Sequence, residues 1–114
     1  MMEEILFVVK PELIVAMALC SFMHDEESIV IKGAKQYSDY SGYSHSFAFE
    51  GDYSPEGRGS DSPPPIVAAM DALQGMSKIQ FNDKLILRDM NKARIAFSFA
   101  SSVATGNWGC GAFG

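Results

Sequence analysis

The sequence is poor in cysteine, in basic residues and in long apolar runs. Its two cysteines, Cys20 and Cys110, are too few and too far apart for a disulfide framework, and neither forms a Cys-x-x-Cys zinc pair. Nine Lys and Arg residues against fourteen Asp and Glu give a formal charge of −5, which argues against binding nucleic acid through a basic surface. The two histidines lack neighbouring ligands at helical spacing. We therefore expect an intracellular, reducing compartment, no metal and no other cofactor.

No targeting or membrane-spanning segment is predicted. The N-terminal stretch lacks the basic region of a signal peptide. Its apolar run is interrupted by Lys10, Pro11 and Glu12, far below the roughly 20 residues that span a bilayer. The chain of 114 residues fits one domain, and 47% hydrophobic with 20% charged residues is typical of a globular protein with a sizeable core.

Two segments have the apolar spacing of helices. In residues 3–22 apolar side chains recur every three or four positions, and Pro11 divides the segment into a helix that ends near Lys10 and a second that begins at Pro11. In residues 82–97 the same spacing predicts an amphipathic helix. Its basic side chains are expected to stay outside: Lys84, Arg88, Lys92 and Arg94.

Four short segments are predicted to be strands, because they are rich in β-branched or apolar residues or alternate in polarity. They are residues 28–33, 43–50, 66–73 and 101–105. The third has the pattern of a central strand covered on both faces, although its alanines leave a helix open. In the second, Phe47 and Phe49 are expected to face the core. Residues 36–42 are a predicted loop and residues 51–65 a mobile one, so the order of elements indicates a mixed α/β sandwich.

The last twelve residues carry glycine at every second or third position after an apolar lead-in. Gly106, Gly109 and Gly111 permit positive φ angles and a close approach of backbone N–H groups to a phosphate, and Asn107 tolerates left-handed geometry. This pattern predicts a cradle for nucleotide phosphates.

Four segments match one known family in the same order along the whole chain. They are the pair Glu3-Glu4 that opens a helix, Tyr40-Ser41-Gly42-Tyr43, Asp89-Met90-Asn91-Lys92-Ala93, and the loop from Ala104 to Gly114. Together they resemble the catalytic macrodomain of the poly(ADP-ribose) glycohydrolases. The resemblance implies a macrodomain-like mixed sheet flanked by helices and truncated at both ends. Residues 1–114 would then be a partial domain that lacks an upstream accessory region and a C-terminal part.

The resemblance also implies hydrolysis of the ribose–ribose O-glycosidic bonds of poly(ADP-ribose), with release of ADP-ribose. Glu4 matches the residue that protonates the leaving ribose oxygen and then activates water, a role that a pKa raised by burial would support. Glu3 matches a neighbour that binds ribose hydroxyls. Tyr43 matches the platform on which adenine stacks, with Tyr40 beside it. The closing loop matches the part that holds the phosphates and the distal ribose: Gly106, Asn107, Gly109, Gly111, Ala112 and Phe113.

Other interpretations stay open at the level of sequence. Acidic residues in a first helical turn also complement the helix dipole. Met2 stands where the family has glutamine, so a module that binds ADP-ribose without turnover, or an inactive fragment, is the alternative. A nucleophile built from Cys110 with His24 or His45 has no support in spacing. The expected partners are poly(ADP-ribose), ADP-ribose and poly(ADP-ribosyl)ated proteins in the nucleus or cytoplasm, in the DNA damage response, without direct binding to DNA or a membrane.

Overall fold

The computed structural model of the chain describes residues 2–55, 65–73 and 80–107, with side chains from residue 4 onward. Its helices are α1 (Met2–Val9), α2 (Ile14–Leu19) and α3 (Asp83–Phe97), with 3-10 turns at Pro11–Leu13 and Ser44–Ser46. Its strands are β1 (Ile29–Ile31), β2 (Ser38–Ser41), β3 (Ala48–Asp52) and β4 (Val67–Ala69). The mixed α/β class predicted from the sequence is confirmed.

The chain divides into two compact units. Unit 1 consists of Met1–Ser21 and Ile31–Val67, and unit 2 consists of Phe22–Val30 and Ala68–Gly114. Unit 1 contains the N-terminal helices and the strands β2 and β3, whereas unit 2 contains α3. β1 pairs with β4 in a two-stranded sheet. In the described part of the chain, no helix has the length and apolar character needed to cross a membrane.

The helix break predicted at Pro11 is confirmed. α1 ends at Val9, and the N–H of Lys10 still donates to the Leu6 carbonyl at 2.8 Å. Proline has no N–H to continue this ladder, so the chain passes through the 3-10 turn before α2 begins at Ile14. The core of unit 1 lies under this bend, where four apolar side chains are buried: Ile5, Val9, Leu13 and Ala34.

The predicted loop at residues 36–42 is wrong over Ser38–Ser41, which forms β2 and pairs antiparallel with β3. The register places Ser41 opposite Ala48, with an irregularity between Asp39 and Tyr40. The predicted strand at residues 43–50 is also wrong in its first half, because the 3-10 turn occupies Ser44–Ser46. Aromatic and small polar residues can alternate both in a strand and in a tight turn closed by serine hydroxyls. This pattern alone therefore does not distinguish the two.

The expected burial of the two phenylalanines is only partly met. Phe47 is half-buried, whereas Phe49 on β3 is 65% exposed. The prediction of a covered central strand at residues 66–73 is wrong, since β4 spans only three residues and its two alanines are exposed. Residues 101–105, predicted to be a strand, have an irregular backbone. Of the predicted mobile loop, residues 51–52 belong to β3 and residues 56–64 lie outside the described part.

α3 confirms the predicted C-terminal helix but inverts part of its expected burial. Asn82 caps its start, because the side-chain oxygen accepts a hydrogen bond from the Leu85 N–H at 3.1 Å. Lys92 was expected outside and is 1% exposed, whereas the apolar Met90 is 62% exposed. The Arg88 side chain, also expected outside, is 8% exposed. Acidic partners in unit 2 account for both inward-facing cations.

Candidate functional site

A cavity of about 330 Å³ in unit 1 brings together two of the segments singled out in the sequence. One wall is α1, and the other is the 3-10 turn that follows Tyr43. Because residues three and four apart share a helix face, α1 presents three side chains on the same side. The cavity is lined by Glu4, Ile5, Val8, Ser44 and Phe47. Glu4 therefore lines a largely apolar recess next to the tyrosine segment.

Glu4 is exposed, and its pKa is lowered. Hydrogen bonds to the carboxyl lower it, and the opposing effect of burial is smaller. The direction is opposite to the one that burial was expected to give. Without a ligand the Glu4 carboxyl is therefore ionised at neutral pH.

The turn at Ser44–Ser46 fixes the backbone of Tyr43 and leaves its ring open. The Ser46 hydroxyl oxygen accepts from the Tyr43 N–H at 2.9 Å, and the same hydroxyl donates to the Tyr43 carbonyl at 2.8 Å. The Ser46 N–H also donates to that carbonyl at 3.1 Å. Tyr43 is extended, with φ −154° and ψ 144°, and the residue is 51% exposed. An exposed aromatic residue whose backbone is held in place is suited to stacking.

Gly42 is required by the tightness of this turn. Its φ is +73°, and a Cβ added there would lie 1.9 Å from the Ser46 carbonyl oxygen. Tyr40, at the other side of Gly42, is 37% exposed and contacts the Phe47 ring, with centroids 5.5 Å apart and planes tilted by 35°. Tyr40 is thus tied to a cavity-lining side chain, whereas Tyr43 is the more open of the two rings.

The expected phosphate cradle belongs to unit 2. Gly106 and Asn107 are exposed residues of an irregular segment. The remaining predicted cradle residues, and Cys110, lie outside the described part of the chain: Gly109, Gly111, Ala112 and Phe113. Glu3 belongs to α1, and its side chain is outside the described part as well. The geometry of unit 1 therefore relates Glu4 to the Tyr43 turn, while each cradle residue stays a prediction.

Unit 2 contains an ion-pair cluster around α3. The Arg88 guanidinium donates to Asp25 at 2.7 Å, to Asp71 at 2.6 Å and to Asp89 at 2.9 Å, and the Lys92 ammonium donates to the other oxygen of Asp71. Burial would lower the pKa of Arg88, but the hydrogen bonds to Asp25, Asp89 and Asp71 outweigh it and raise that pKa further. Burial would raise the pKa of Asp71, but the donors on Lys92 and Arg88 outweigh it and lower that pKa.

Among the described residues, no group of three or more His, Cys, Asp or Glu side chains is arranged to hold a metal ion. The His24 ring meets the Phe22 ring edge-on, with centroids 4.5 Å apart, and the backbone N–H of His24 donates to the Glu27 carboxylate at 2.9 Å. Cys20 is an exposed free thiol.

Sequence reasoning identified Glu4, the charged residue of the cavity, but it missed residues that give the cavity its shape. Val8 and Ser44 line it, and Ser46 holds the turn. The signal present in the sequence was the cluster of small residues around Gly42, which is typical of a tight turn. The helical face shared by residues 4, 5 and 8 was a second signal.

A family comparison decides what these segments have in common. The family described as poly(ADP-ribose) glycohydrolase, macro domain fold, matches residues 1–114. The chain belongs to the poly(ADP-ribose) glycohydrolase family. It is 38% identical to poly(ADP-ribose) glycohydrolase 1 of Arabidopsis thaliana over 83% of this chain and 18% of that protein. It is 30% identical to the probable poly(ADP-ribose) glycohydrolase 2 of the same plant over 98% of this chain and 30% of that protein.

Similarity to the glycohydrolase family extends to animals. The chain is 34% identical to poly(ADP-ribose) glycohydrolase 1 of Caenorhabditis elegans, over 97% of its own length. It spans 17% of that relative, and at most 30% of the Arabidopsis ones. The match therefore identifies the family of this stretch of sequence, which is a small part of each whole enzyme.

Proposed function

We propose that the protein containing this chain hydrolyses the ribose–ribose O-glycosidic bonds of poly(ADP-ribose) and releases ADP-ribose. The observation that carries the proposal is the cavity of unit 1, which Glu4 and the turn behind Tyr43 line together. A carboxylate beside an apolar recess, next to an open aromatic ring, is an arrangement suited to a ribose attached to a stacked base. Family membership supports this choice of substrate.

In the proposed reaction Glu4 is the catalytic residue. It protonates the ribose oxygen that leaves as the glycosidic bond breaks. It then takes a proton from the water that attacks the carbon on the other side of that bond. α1 begins at Met2 and includes both glutamates, and consecutive helical residues point about 100° apart. The two carboxylates therefore do not flank one bond as a glycosidase pair does, and Glu3 is assigned to the ribose hydroxyls instead.

The lowered pKa of Glu4 sets a condition on this mechanism. An acid must carry its proton when the substrate is bound, yet the unliganded carboxyl is ionised at neutral pH. Substrate that excludes water from the cavity and brings its phosphates near Glu4 supplies two effects that raise a carboxyl pKa. The proposal therefore includes a pKa of Glu4 that rises when substrate binds.

Partners and compartment follow from the substrate. The proposal extends to poly(ADP-ribosyl)ated proteins as carriers of the polymer, to the nucleus or cytoplasm as the place of action, and to the DNA damage response as its setting. The chain's acidic balance of fourteen Asp and Glu against nine Lys and Arg agrees with recognition of the polymer through a local site rather than through a basic surface.

The test is turnover of poly(ADP-ribose), followed as ADP-ribose released, with Glu4→Gln as the variant and Glu26→Gln as its control. Both changes replace an exposed glutamate by its neutral isostere, but Glu26 lies in the polar turn of unit 2. We expect Glu4→Gln to abolish turnover with ADP-ribose affinity nearly unchanged, and Glu26→Gln to behave like the wild type.

A second outcome would identify the other candidate function. A wild-type protein that binds ADP-ribose but releases none from the polymer would be a binding module, for which the exposed and ionised Glu4 is the observation in favour. Loss of ADP-ribose binding in a folded Glu4→Gln variant would count against both functions.

A further inference from the structure

Glu12 uses both oxygens of its carboxylate to hold one short segment of unit 1. It follows Pro11 in the 3-10 turn. Its Oε2 accepts from the Lys35 N–H at 2.7 Å, and its Oε1 accepts from the Tyr37 hydroxyl at 2.8 Å. These bonds lower the pKa of Glu12, first through the Lys35 N–H and then through the Tyr37 hydroxyl, and the bond to Glu12 raises the pKa of Tyr37. The contact is thus between an ionised carboxylate and a protonated phenol at neutral pH.

The backbone of Tyr37 joins α1 to the hairpin of β2 and β3. Its N–H donates to the carbonyl of Val9, the last residue of α1, at 2.9 Å. Its carbonyl accepts from the N–H of Tyr53, the residue after β3, at 2.9 Å. Glu12 and Val9 therefore fix the base of the hairpin at two points on the N-terminal helical segment.

The base of the hairpin determines where its far end lies. β2 begins directly after Tyr37 and carries the chain roughly 13 Å, at about 3.3 Å per residue, toward Gly42 and Tyr43. A tilt of about 5° at the base moves the far end by about 1 Å over this length. The far end is the wall of the cavity that faces Glu4. Misplacement of about 1 Å between reacting groups is enough to cost up to about a hundredfold in rate.

The pair is too exposed to serve mainly as a source of stability. Glu12 is exposed and Tyr37 is 50% exposed, and pairs of this kind contribute little to the free energy of folding. A two-point contact made by one carboxylate nevertheless restricts the direction of the segment it holds. The arrangement is suited to orientation.

We infer that Glu12 is a positioning residue, which clamps Lys35 and Tyr37 to the end of α1 and so sets the distance between Glu4 and the Tyr43 turn. This inference rests on the proposed function. Glu12 acts through the hairpin and does not touch the substrate.

The test compares Glu12→Ala, Glu12→Gln and Tyr37→Phe in the turnover of poly(ADP-ribose), with the melting temperature of each variant measured in parallel. Glu12→Ala removes both contacts and should lower kcat about tenfold at temperatures where the protein is folded. Tyr37→Phe keeps the backbone contacts and should lower kcat about threefold. Glu12→Gln can still accept from Lys35 N–H and donate to the Tyr37 oxygen, so it should recover most of the rate.

Glu50→Ala is the matched control, because Glu50 is an exposed carboxylate that accepts from the Ser41 hydroxyl within the hairpin and makes no link to α1. We expect it to keep the wild-type rate. A rate lost equally in Glu50→Ala and Glu12→Ala would overturn the clamp, since any loosening of the hairpin would then be sufficient. A Glu12→Ala variant that melts earlier but keeps kcat while folded would show a purely structural role and overturn it as well.

The two levels of the proposal fail differently. A wild-type protein without turnover refutes the glycohydrolase activity and the clamp together. An active wild type with a fully active Glu12→Ala refutes the clamp alone. A Glu12→Ala rate that Gln does not restore would mean that charge, rather than orientation, is the contribution of Glu12, and would also overturn the inference.

Discussion

The hydroxyl of Ser46 binds both backbone polar groups of Tyr43, at 2.9 Å to the N–H and 2.8 Å to the carbonyl. The Ser46 side chain thereby closes the turn that follows Tyr43, the residue whose ring is proposed to stack on adenine. Tyr43 is 51% exposed as a residue and is positioned through its backbone. Changes at Ser46 and Gly42 therefore test the presentation of Tyr43 without altering Tyr43.

Ser46→Ala removes both hydroxyl bonds and should lower the free energy of unfolding by about 1 kcal/mol, since water can replace part of what is lost at this exposed site. It should also weaken ADP-ribose binding several-fold, measured by calorimetry. Ser98→Ala is the control, because its hydroxyl donates to the Ile95 carbonyl at 2.7 Å at the end of α3. An affinity that falls equally in both variants would contradict the role given to Ser46.

Gly42→Ala should be far more damaging than Gly33→Ala. Both glycines have positive φ, +73° and +87°, so they share the strain of placing a Cβ in that region. Only Gly42 adds a clash, with Cβ at 1.9 Å from the Ser46 carbonyl oxygen, whereas Gly33 has nothing within 4 Å. We expect Gly42→Ala to lose about 2 kcal/mol more than Gly33→Ala in urea unfolding. Equal losses would show that the turn relaxes without cost.

Asp71→Ala should destabilise the chain by about 2 kcal/mol in urea unfolding, because it removes the carboxylate that the buried Lys92 contacts. The loss is smaller than for a fully buried pair because Asp71 is 40% exposed. Asp25→Ala is the control, since Asp25 is 77% exposed and should change stability little. Lys92→Met fills the same space, and Asp71 keeps its ion pair with Arg88. We therefore expect it to lower the free energy of unfolding less than Asp71→Ala does.

The same cluster predicts loss of stability in acid. The pKa values of Asp25, through its hydrogen bond from Arg88, and of Asp71 are lowered in the folded chain. Carboxylates of this kind stabilise fully above their unfolded pKa, about 3.8, and lose that contribution as the pH falls through the lower folded pKa. The free energy of unfolding should therefore be flat from pH 7 to about pH 5 and fall below about pH 4. An Asp71→Asn variant whose free energy of unfolding falls as steeply in acid as that of the wild type would contradict this assignment.

Local signals predicted much of the helical structure. Pro11 ended α1 because the missing N–H acts within one turn, and Asn82 caps α3 through a bond to a residue three positions away. The short apolar run at Ile29–Ile31 likewise indicates where β1 begins and ends. Such features depend on neighbours in the sequence, and so the sequence is sufficient to find them.

Features that depend on distant partners could not be predicted. Lys92 is buried because its ammonium group donates a hydrogen bond to Asp71, which lies in another part of unit 2. Nothing in the spacing of the α3 residues indicates that Asp71 is the partner. Met17 was part of the apolar stripe of the N-terminal helices and is 64% exposed, because periodicity shows which side of a helix is apolar but not what packs on it. The cavity joins Glu4 to Ser44 through tertiary contacts of the same kind.

The proposed ADP-ribose site is tested most directly by calorimetric titration of the protein with ADP-ribose, using Tyr43→Ala and Tyr43→Phe beside the wild type. We expect saturable one-to-one binding that weakens at least about tenfold in Tyr43→Ala, since a stacked base contributes roughly 1–3 kcal/mol, and that persists in Tyr43→Phe. A folded wild type without binding, or an affinity unchanged in Tyr43→Ala, would contradict the assignment of this cavity and its turn to ADP-ribose.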